Sequence, residues 1–339
     1  MKAVAHFKCL PVEHPDALVE IDMIEPLPGP RDLLVEVKAV SVNPVDTKVR
    51  QGYVPHADES QPRILGWDAA GVVRSVGSEV SLFKPGDRVW YAGSLIRPGS
   101  NSELQLVDER IVGSMPQSLQ FAQAAALPLT SLTAWELLFD RLGVVRDTTD
   151  RGETLLIIGA AGGVGSILTQ LARQLTGLTI IGTASRPETQ AWVTELGAHH
   201  VIDHSKPLNE ELKRIGIPEV SYVASLTHTE RHYDQIIESL KPQGRLGLID
   251  DPASLDAVPL KRKSLSLHWE LMYTRSLCQT ADMQEQHNIL NEVARQIDAG
   301  LLRTTVGEHY GRISAENLRR AHALLESGKA KGKIVLEGF

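Results

Sequence analysis

The stretch of this sequence best suited to chemistry is Leu155-Leu156-Ile157-Ile158-Gly159-Ala160-Ala161-Gly162-Gly163-Val164-Gly165-Ser166. An apolar strand enters a glycine-rich turn and then a helix. The glycines permit a tight turn and a close backbone approach to a pyrophosphate. The helix offers free N–H groups and a partial positive charge to the anion. The pattern is A-x-G-x-x-G, with Ala160 standing where the dinucleotide fingerprint has its first glycine. Ala161, Gly162, Gly163 and Val164 are the expected phosphate contacts. The competing reading is a turn that only packs a helix tightly on a sheet. The strand before the loop, the helix after it and the half-unit beyond favour dinucleotide binding.

The cofactor type is set at the end of the next strand, about 20 residues on. An NAD-preferring site puts Asp or Glu there. Here Thr179–Ala184 runs into Ser185-Arg186. A carboxylate would repel a 2′-phosphate, whereas a guanidinium clamps it with charge-assisted hydrogen bonds. Ser185 and Arg186 therefore predict NADPH over NADH, the alternative for Arg186 being a solvated loop side chain.

The elements that must position these residues are legible in the patterning. Strand and helix periods alternate from Thr154 onward. Strands are expected at Thr154–Ile158, Thr179–Ala184, His200–Ile202, Val220–Ala224 and Arg245–Ile249. Helices are expected at Gly165–Leu175, Glu188–Leu196 and Tyr233–Leu240. Such repetition builds a doubly wound parallel sheet. The first third differs. Short alternating runs at Leu33–Val40, Gly71–Gly77 and Asp87–Trp90 are separated by turns such as Lys84-Pro85-Gly86-Asp87, which reads as a compact β-rich domain. Phe121–Leu142 has helical spacing interrupted by Pro128. The tail holds a possible strand at Ser264–Trp269, helices at Asp282–Ala299 and Ser314–Leu325, and a closing strand at Lys333–Leu336. It is expected to return to the first domain, because two helices and one strand bury little core alone.

Composition narrows the classes. At 339 residues two domains are the default. A net charge of −7 with no basic stripe argues against nucleic acid. The two cysteines form no CxxC pair and no disulfide framework, and no run is long and apolar enough for a membrane span, so a cytoplasmic protein is expected.

A series of motifs then carries a resemblance. Ser41-Val42-Asn43-Pro44-Val45-Asp46, Ile64-Leu65-Gly66-Trp67-Asp68-Ala69-Ala70-Gly71, Phe83-Lys84-Pro85-Gly86-Asp87-Arg88-Val89, Leu132-Thr133-Ala134-Trp135 and the Ala160–Gly165 loop fall in one order over essentially the whole chain. In that order they resemble the medium-chain dehydrogenase/reductase superfamily, and within it the quinone oxidoreductase branch. The resemblance implies an α/β architecture: a GroES-like catalytic domain over residues 1–126, completed by 275–339, and a Rossmann NADPH-binding domain over 127–274. Metal-dependent members place a Cys and a His-Glu pair on catalytic zinc. The matching positions here are Asn43, Trp67 and Asp68, and the region around Ser94–Glu103 lacks the four cysteines of a structural zinc lobe. An amide and an indole are not competent ligands, so no metal is expected.

Without zinc to polarise a carbonyl or acidify an alcohol, the expected reaction is reduction of an activated acceptor. A quinone or α,β-unsaturated carbonyl takes hydride, and the negative charge delocalises onto oxygen. By the same resemblance Asn43 faces nicotinamide ribose and substrate. Tyr53, in the same loop, either donates to a carbonyl oxygen or packs as a rim aromatic, and Thr130 and Thr133 stand at the entry to the cofactor domain. His204 matches a position beside the 2′-phosphate. Leu226, Leu248 and Ile249 end later parallel strands, where ligands of such sheets bind, and Lys333 either approaches the cofactor cleft or is a strand-end surface lysine. A homodimer is the family expectation. The alternatives are an enoyl or alkenal reductase, a non-enzymatic NADPH-binding redox sensor and, last, a zinc alcohol dehydrogenase.

Overall fold

The apolar runs of the sequence pair into two separate sets of strands in the computed structural model, which describes residues 1–53 and 60–339. The chain divides into two units, Met1–Leu132 with Tyr273–Phe339, and Thr133–Met272.

The first unit is β-rich. A small antiparallel sheet joins β1 (Lys2–His6), β2 (Val19–Asp22) and β4 (Arg63–Ile64) in the order β2-β1-β4. The larger sheet is built on the long β3 (Asp32–Val42). To one side of β3 lie β5 (Ala69–Val76), β6 (Arg88–Tyr91) and β8 (Val112–Ser114), and β7 (Leu104–Asp108) also pairs with β3. Its inward positions alternate as a half-buried strand should: Leu33, Val35 and Val37 are buried and Glu36 is exposed. Helix α1 (Pro44–Arg50) leaves the end of β3. Pro128 breaks the helical run where its place in the pattern suggested, and it begins the second piece. Helix α2 (Phe121–Ala125) stops first, and α3 (Pro128–Trp135) restarts at Pro128, whose missing N–H is harmless in a first turn.

The second unit is a six-stranded parallel sheet. Its strands are β9 (Thr154–Ile158), β10 (Thr179–Thr183), β11 (His200–Ile202), β12 (Val220–Ser225), β13 (Leu240–Leu248) and β14 (Ser266–Trp269), in the order β11-β10-β9-β12-β13-β14. Every pairing is parallel. The order reverses at β9, which is where an open α/β sheet binds its ligand. The crossover helices are α4 (Gly163–Leu175), α5 (Pro187–Glu195), α6 (Leu208–Arg214) and α7 (Thr229–Ser239). Leu156, Ile158, Ile181, Val223, Ile236 and Leu246 centre its core.

The chain from Tyr273 onward belongs to the first unit. After α8 (Thr274–Cys278) and α9 (Glu285–Asp298) come β15 (Val306–His309), α10 (Ala315–Glu326) and β16 (Lys333–Glu337). β16 pairs antiparallel with β3, setting Ile334 against Val42, and Ser314 caps α10 by accepting from the Asn317 N–H.

Candidate functional site

In the β-rich unit, the site forms where β3 turns into α1. Pro44 takes the first helical position, and the Asn43 N–H donates to Asp46 Oδ2 at 2.6 Å. This fixes Asn43, which is 1% exposed. Its Nδ2 donates to Asp68 Oδ2 at 3.1 Å and to the Trp67 carbonyl at 3.3 Å. Its Oδ1 accepts from Lys333 Nζ. The register of β16 on β3 delivers Lys333 to this point, where it also donates to the Val42 carbonyl at 3.0 Å and pairs with Asp68 Oδ2 at 3.0 Å. Asp68 further accepts from Ser41 Oγ at 3.1 Å and, on Oδ1, from the Leu129 N–H at 2.9 Å.

The cluster is dry, and its electrostatics follow from that. Burial pushes the Asp68 carboxyl up and the Lys333 ammonium down, and their mutual attraction opposes both shifts. Burial pushes Asp46 up to about 7, with the Asp68 charge adding to it, while the Asn43 N–H and Lys333 pull the other way. The Tyr273 hydroxyl is buried without a hydrogen-bond partner. Burial, then the charges of Asp46 and Asp68, hold it protonated, well above the usual phenol range.

These side chains do not fit a zinc ion. Trp67 is buried and donates its Nε1–H to the Ser94 carbonyl at 3.2 Å. Asn43 has its amide committed on both sides. Of the three matching positions only Asp68 is a ligand type, and its oxygens already take Lys333, Asn43, Ser41 and Leu129. Among the described residues no three His, Cys, Asp or Glu side chains group as a metal site.

Of the other expected residues in this unit, Thr130 is buried on α3 and donates to the Leu127 carbonyl at 3.1 Å. Tyr53 follows α1 and is 64% exposed. The substrate loop expected over Gln51–Pro62 falls partly at 54–59, outside the described residues. Lys333, expected against a cofactor, is turned inward: it is 3% exposed and its three N–H groups go to Val42, Asn43 and Asp68.

In the parallel-sheet unit, β9 ends at Ile158 and the loop follows. Gly159 has φ +82°, and its N–H donates to Thr183 Oγ1 at 3.1 Å. Ala161, Gly162, Gly163 and Val164 are half-buried and reach the N-terminus of the 13-residue α4. A Cβ on Gly165 would stand 2.5 Å from Ala160 Cα and from the Gly159 carbonyl oxygen, so only glycine lets α4 lie this close to the loop. Ala160 is fully buried against Gly182, where an added Cβ would be 3.0 Å from the Ala160 methyl. The fingerprint's lost first glycine is thus accommodated by a glycine on the neighbouring strand. A cradle that side chains would fill, at a helix N-terminus, fits a dinucleotide.

Beyond it, Ser185 is exposed and Arg186 stands ahead of α5, ion-paired with Glu188 at 2.7 Å. His204 is half-buried after β11, and Leu226 is half-buried with its N–H on the Ile158 carbonyl at 3.1 Å. Thr133 is buried on α3. Leu248 and Ile249 separate: Leu248 lies in the core with its carbonyl accepting from the Glu270 N–H, and Ile249 is half-buried. Sequence reasoning passed over Asp46 and Tyr273. The spacing of Asn43 and Asp46, N-cap to third helical position, is a signal that could have found the first; nothing local points to the second.

A GroES-like β-rich unit and a dinucleotide-binding parallel sheet in one chain define a dehydrogenase-type oxidoreductase. Comparison with known proteins agrees. Residues 29–128 match the alcohol dehydrogenase GroES-like domain, and residues 196–336 match the family described as zinc-binding dehydrogenase. A zinc-type alcohol dehydrogenase-like protein of Staphylococcus aureus is 40% identical over 99% of both chains. A putative zinc-dependent alcohol dehydrogenase of Rhizobium etli is 54% identical, with TM-score 0.95 over 100% of this chain and 98% of that one. The Escherichia coli quinone oxidoreductase, solved with NADPH, is 27% identical, with TM-score 0.82 over 99% of this chain and 100% of that one. The chain belongs to the medium-chain dehydrogenase/reductase superfamily, as the ordered motifs led one to expect.

Proposed function

We propose that this oxidoreductase uses NADPH to reduce quinones or related α,β-unsaturated carbonyl compounds, without zinc. The observation that carries the reading is the Lys333–Asp68–Asn43 cluster. The positions that hold catalytic zinc in metal-dependent relatives here bind one another instead, in a buried ion pair with every strong donor committed. With no Lewis acid, a simple alcohol has no group to lower its pKa. An activated acceptor needs only orientation and hydrogen bonds to the oxygen that gains charge.

When bound, NADPH supplies the hydride. The loop N–H groups of Ala161–Val164 and the α4 N-terminus hold the pyrophosphate. Arg186 takes the 2′-phosphate by exchanging its Glu188 partner, with His204 beside it. Thr133, Leu226 and Ile249 line the cofactor, and Leu248 supports that wall from the core. Asn43 is held rigid by Lys333 and Asp46 for the nicotinamide side. Tyr53 offers an exposed hydroxyl to the acceptor oxygen, Thr130 fixes the entry of α3, and water returns the proton. A catalytic domain of 1–126 with 275–339, a cofactor domain of 127–274, a cytoplasmic setting and a homodimer complete the proposal.

The test follows NADPH absorbance, as loss with a panel of quinones, enones, alkenals, enoyl thioesters and saturated aldehydes and as gain from NADP+ with alcohols, run beside elemental analysis. Turnover of quinones and enones by metal-free protein is expected. Turnover of alkenals or enoyl thioesters alone moves the assignment to that reductase class. Cofactor binding with no turnover indicates a sensor. Stoichiometric zinc with alcohol oxidation overturns the reading.

A further inference from the structure

Five cationic or titratable side chains gather on the parallel-sheet unit where β10 and β11 end and α7 begins. Arg186 follows β10, His204 follows β11, and His228, Arg231 and His232 lie at the start of α7. The His204 and His232 rings meet edge-on, with centroids 6.4 Å apart and planes at 74°. His232 is 6% exposed, and its Nδ1 has no hydrogen-bond partner; neither has Nδ1 of His204. Two unpartnered ring nitrogens at one spot are costly in a protein interior unless something else satisfies them.

Resting on the NADPH reading above, we propose that His204 and His232 form a proton-coupled grip on the phosphate monoester of the cofactor ribose, so that NADPH binding takes up protons and NADH binding does not.

Burial first, and then the neighbouring cations, hold both imidazoles below the usual histidine range. Around neutral pH the unliganded pair is therefore neutral. A phosphate monoester carries a charge of roughly −1.5 to −2 at pH 7. Placed against the pair, it stabilises the imidazolium form and raises both pKa values. The sign follows by linkage. Between the unliganded and the raised values, the complex holds more protons than the free protein. Affinity for the dianion grows as pH falls through that window and levels off below the unliganded values.

The other charged groups around the pair come from each packed element. Arg186 with Glu188 precedes and begins α5. Asp203, which favours the His204 proton, and Lys206 lie in the turn after β11. His228 and Arg231 disfavour protonation of both rings from α7. Asp250 caps α7 by accepting from the Thr229 N–H at 2.8 Å, so the helix terminus itself is already answered by an anion. Beside the permanent charges of Arg186 and Arg231, His204 and His232 can answer an incoming dianion by taking up a proton.

The test needs no substitution. Calorimetric titration at pH 7, in two buffers of different ionisation enthalpy, counts the protons exchanged on binding. NADPH is expected to take up protons that NADH does not. The ligand's own phosphate, with a pKa near 6, can only release a proton on binding, so the sign separates the two sources. Across pH 7.5 to 6 the NADPH:NADH affinity ratio is expected to rise by up to about tenfold per unit for one coupled proton, after correction for the phosphate titration. The His204→Gln/His232→Gln protein loses both effects. NADPH preferred without extra proton uptake overturns the histidine grip and leaves the cofactor reading intact. NADH preferred at every pH overturns both. Equal uptake with inorganic phosphate alone assigns the pair to free phosphate and overturns the proposal.

Discussion

Lys333 and Asp68 each bury a charge almost completely, and each depends on the other. A buried ion pair adds little net stability, but removing one partner strands the other. Lys333→Met leaves Asp68 with neutral donors only: Ser41, Asn43 and the Leu129 N–H. The expected loss in urea unfolding is roughly 3–5 kcal/mol. Asp68→Asn in the same chain removes the stranded charge and is expected to restore much of that. The double-mutant cycle should therefore show strong coupling. Additive losses would mean the two groups do not act as a pair. If the pair also holds Asn43 in place, Lys333→Met lowers turnover as well, without loss of the dinucleotide site on the other unit.

At the scale of elements, Gly165 is the point where one atom decides. A methyl at 2.5 Å from the Ala160 backbone forces α4 away from its loop. Such overpacking costs about 1–3 kcal/mol, and the loop N–H groups move with the helix. Gly165→Ala is expected to weaken NADPH binding in a fluorescence titration. Gly216→Ala, where an added Cβ meets nothing but φ is +77°, tests general backbone strain and should leave that titration unchanged. The same elements show what a sequence exposes. The strands of the parallel sheet are buried on both faces, so Leu155–Ile158 and Ile180–Ile181 stand out as apolar runs, and the loop between β9 and α4 is visible from its glycines. Helices α1 and α6, seven residues each, are too short to show a helical period, and both went unrecognised. The polar cluster was half legible. Asn43 and Asp68 lie in family motifs, but Tyr273 lies far along the chain from both, and the inward course of Lys333 depends on β16 pairing with β3. No local pattern announces a contact between residues that far apart.

At the scale of the whole molecule, β14 is the feature that calls for a partner. It ends the six-stranded sheet, with β13 on one side and no strand on the other among the described residues. An exposed edge strand with apolar neighbours invites pairing with another chain, and native edges are commonly short, charged or covered. Here Trp269 is 51% exposed, and Leu271, two residues on, is exposed as well. Bare edge N–H and C=O groups flanked by apolar side chains match their own copy across a two-fold axis, where an antiparallel β14–β14 pair satisfies both edges at once. The opposite edge, β11, is three residues long and lacks such a flank. The expected particle is thus a homodimer. Trp269→Glu places a charge on each side of the axis, so two carboxylates approach in the dimer and none in the monomer. Light scattering should move from twice 37.1 kDa to 37.1 kDa. A dimer that persists unchanged in this variant would place the contact elsewhere. A wild-type chain already running at 37.1 kDa would show that the edge stays bare, and with it the dimer expectation would fall.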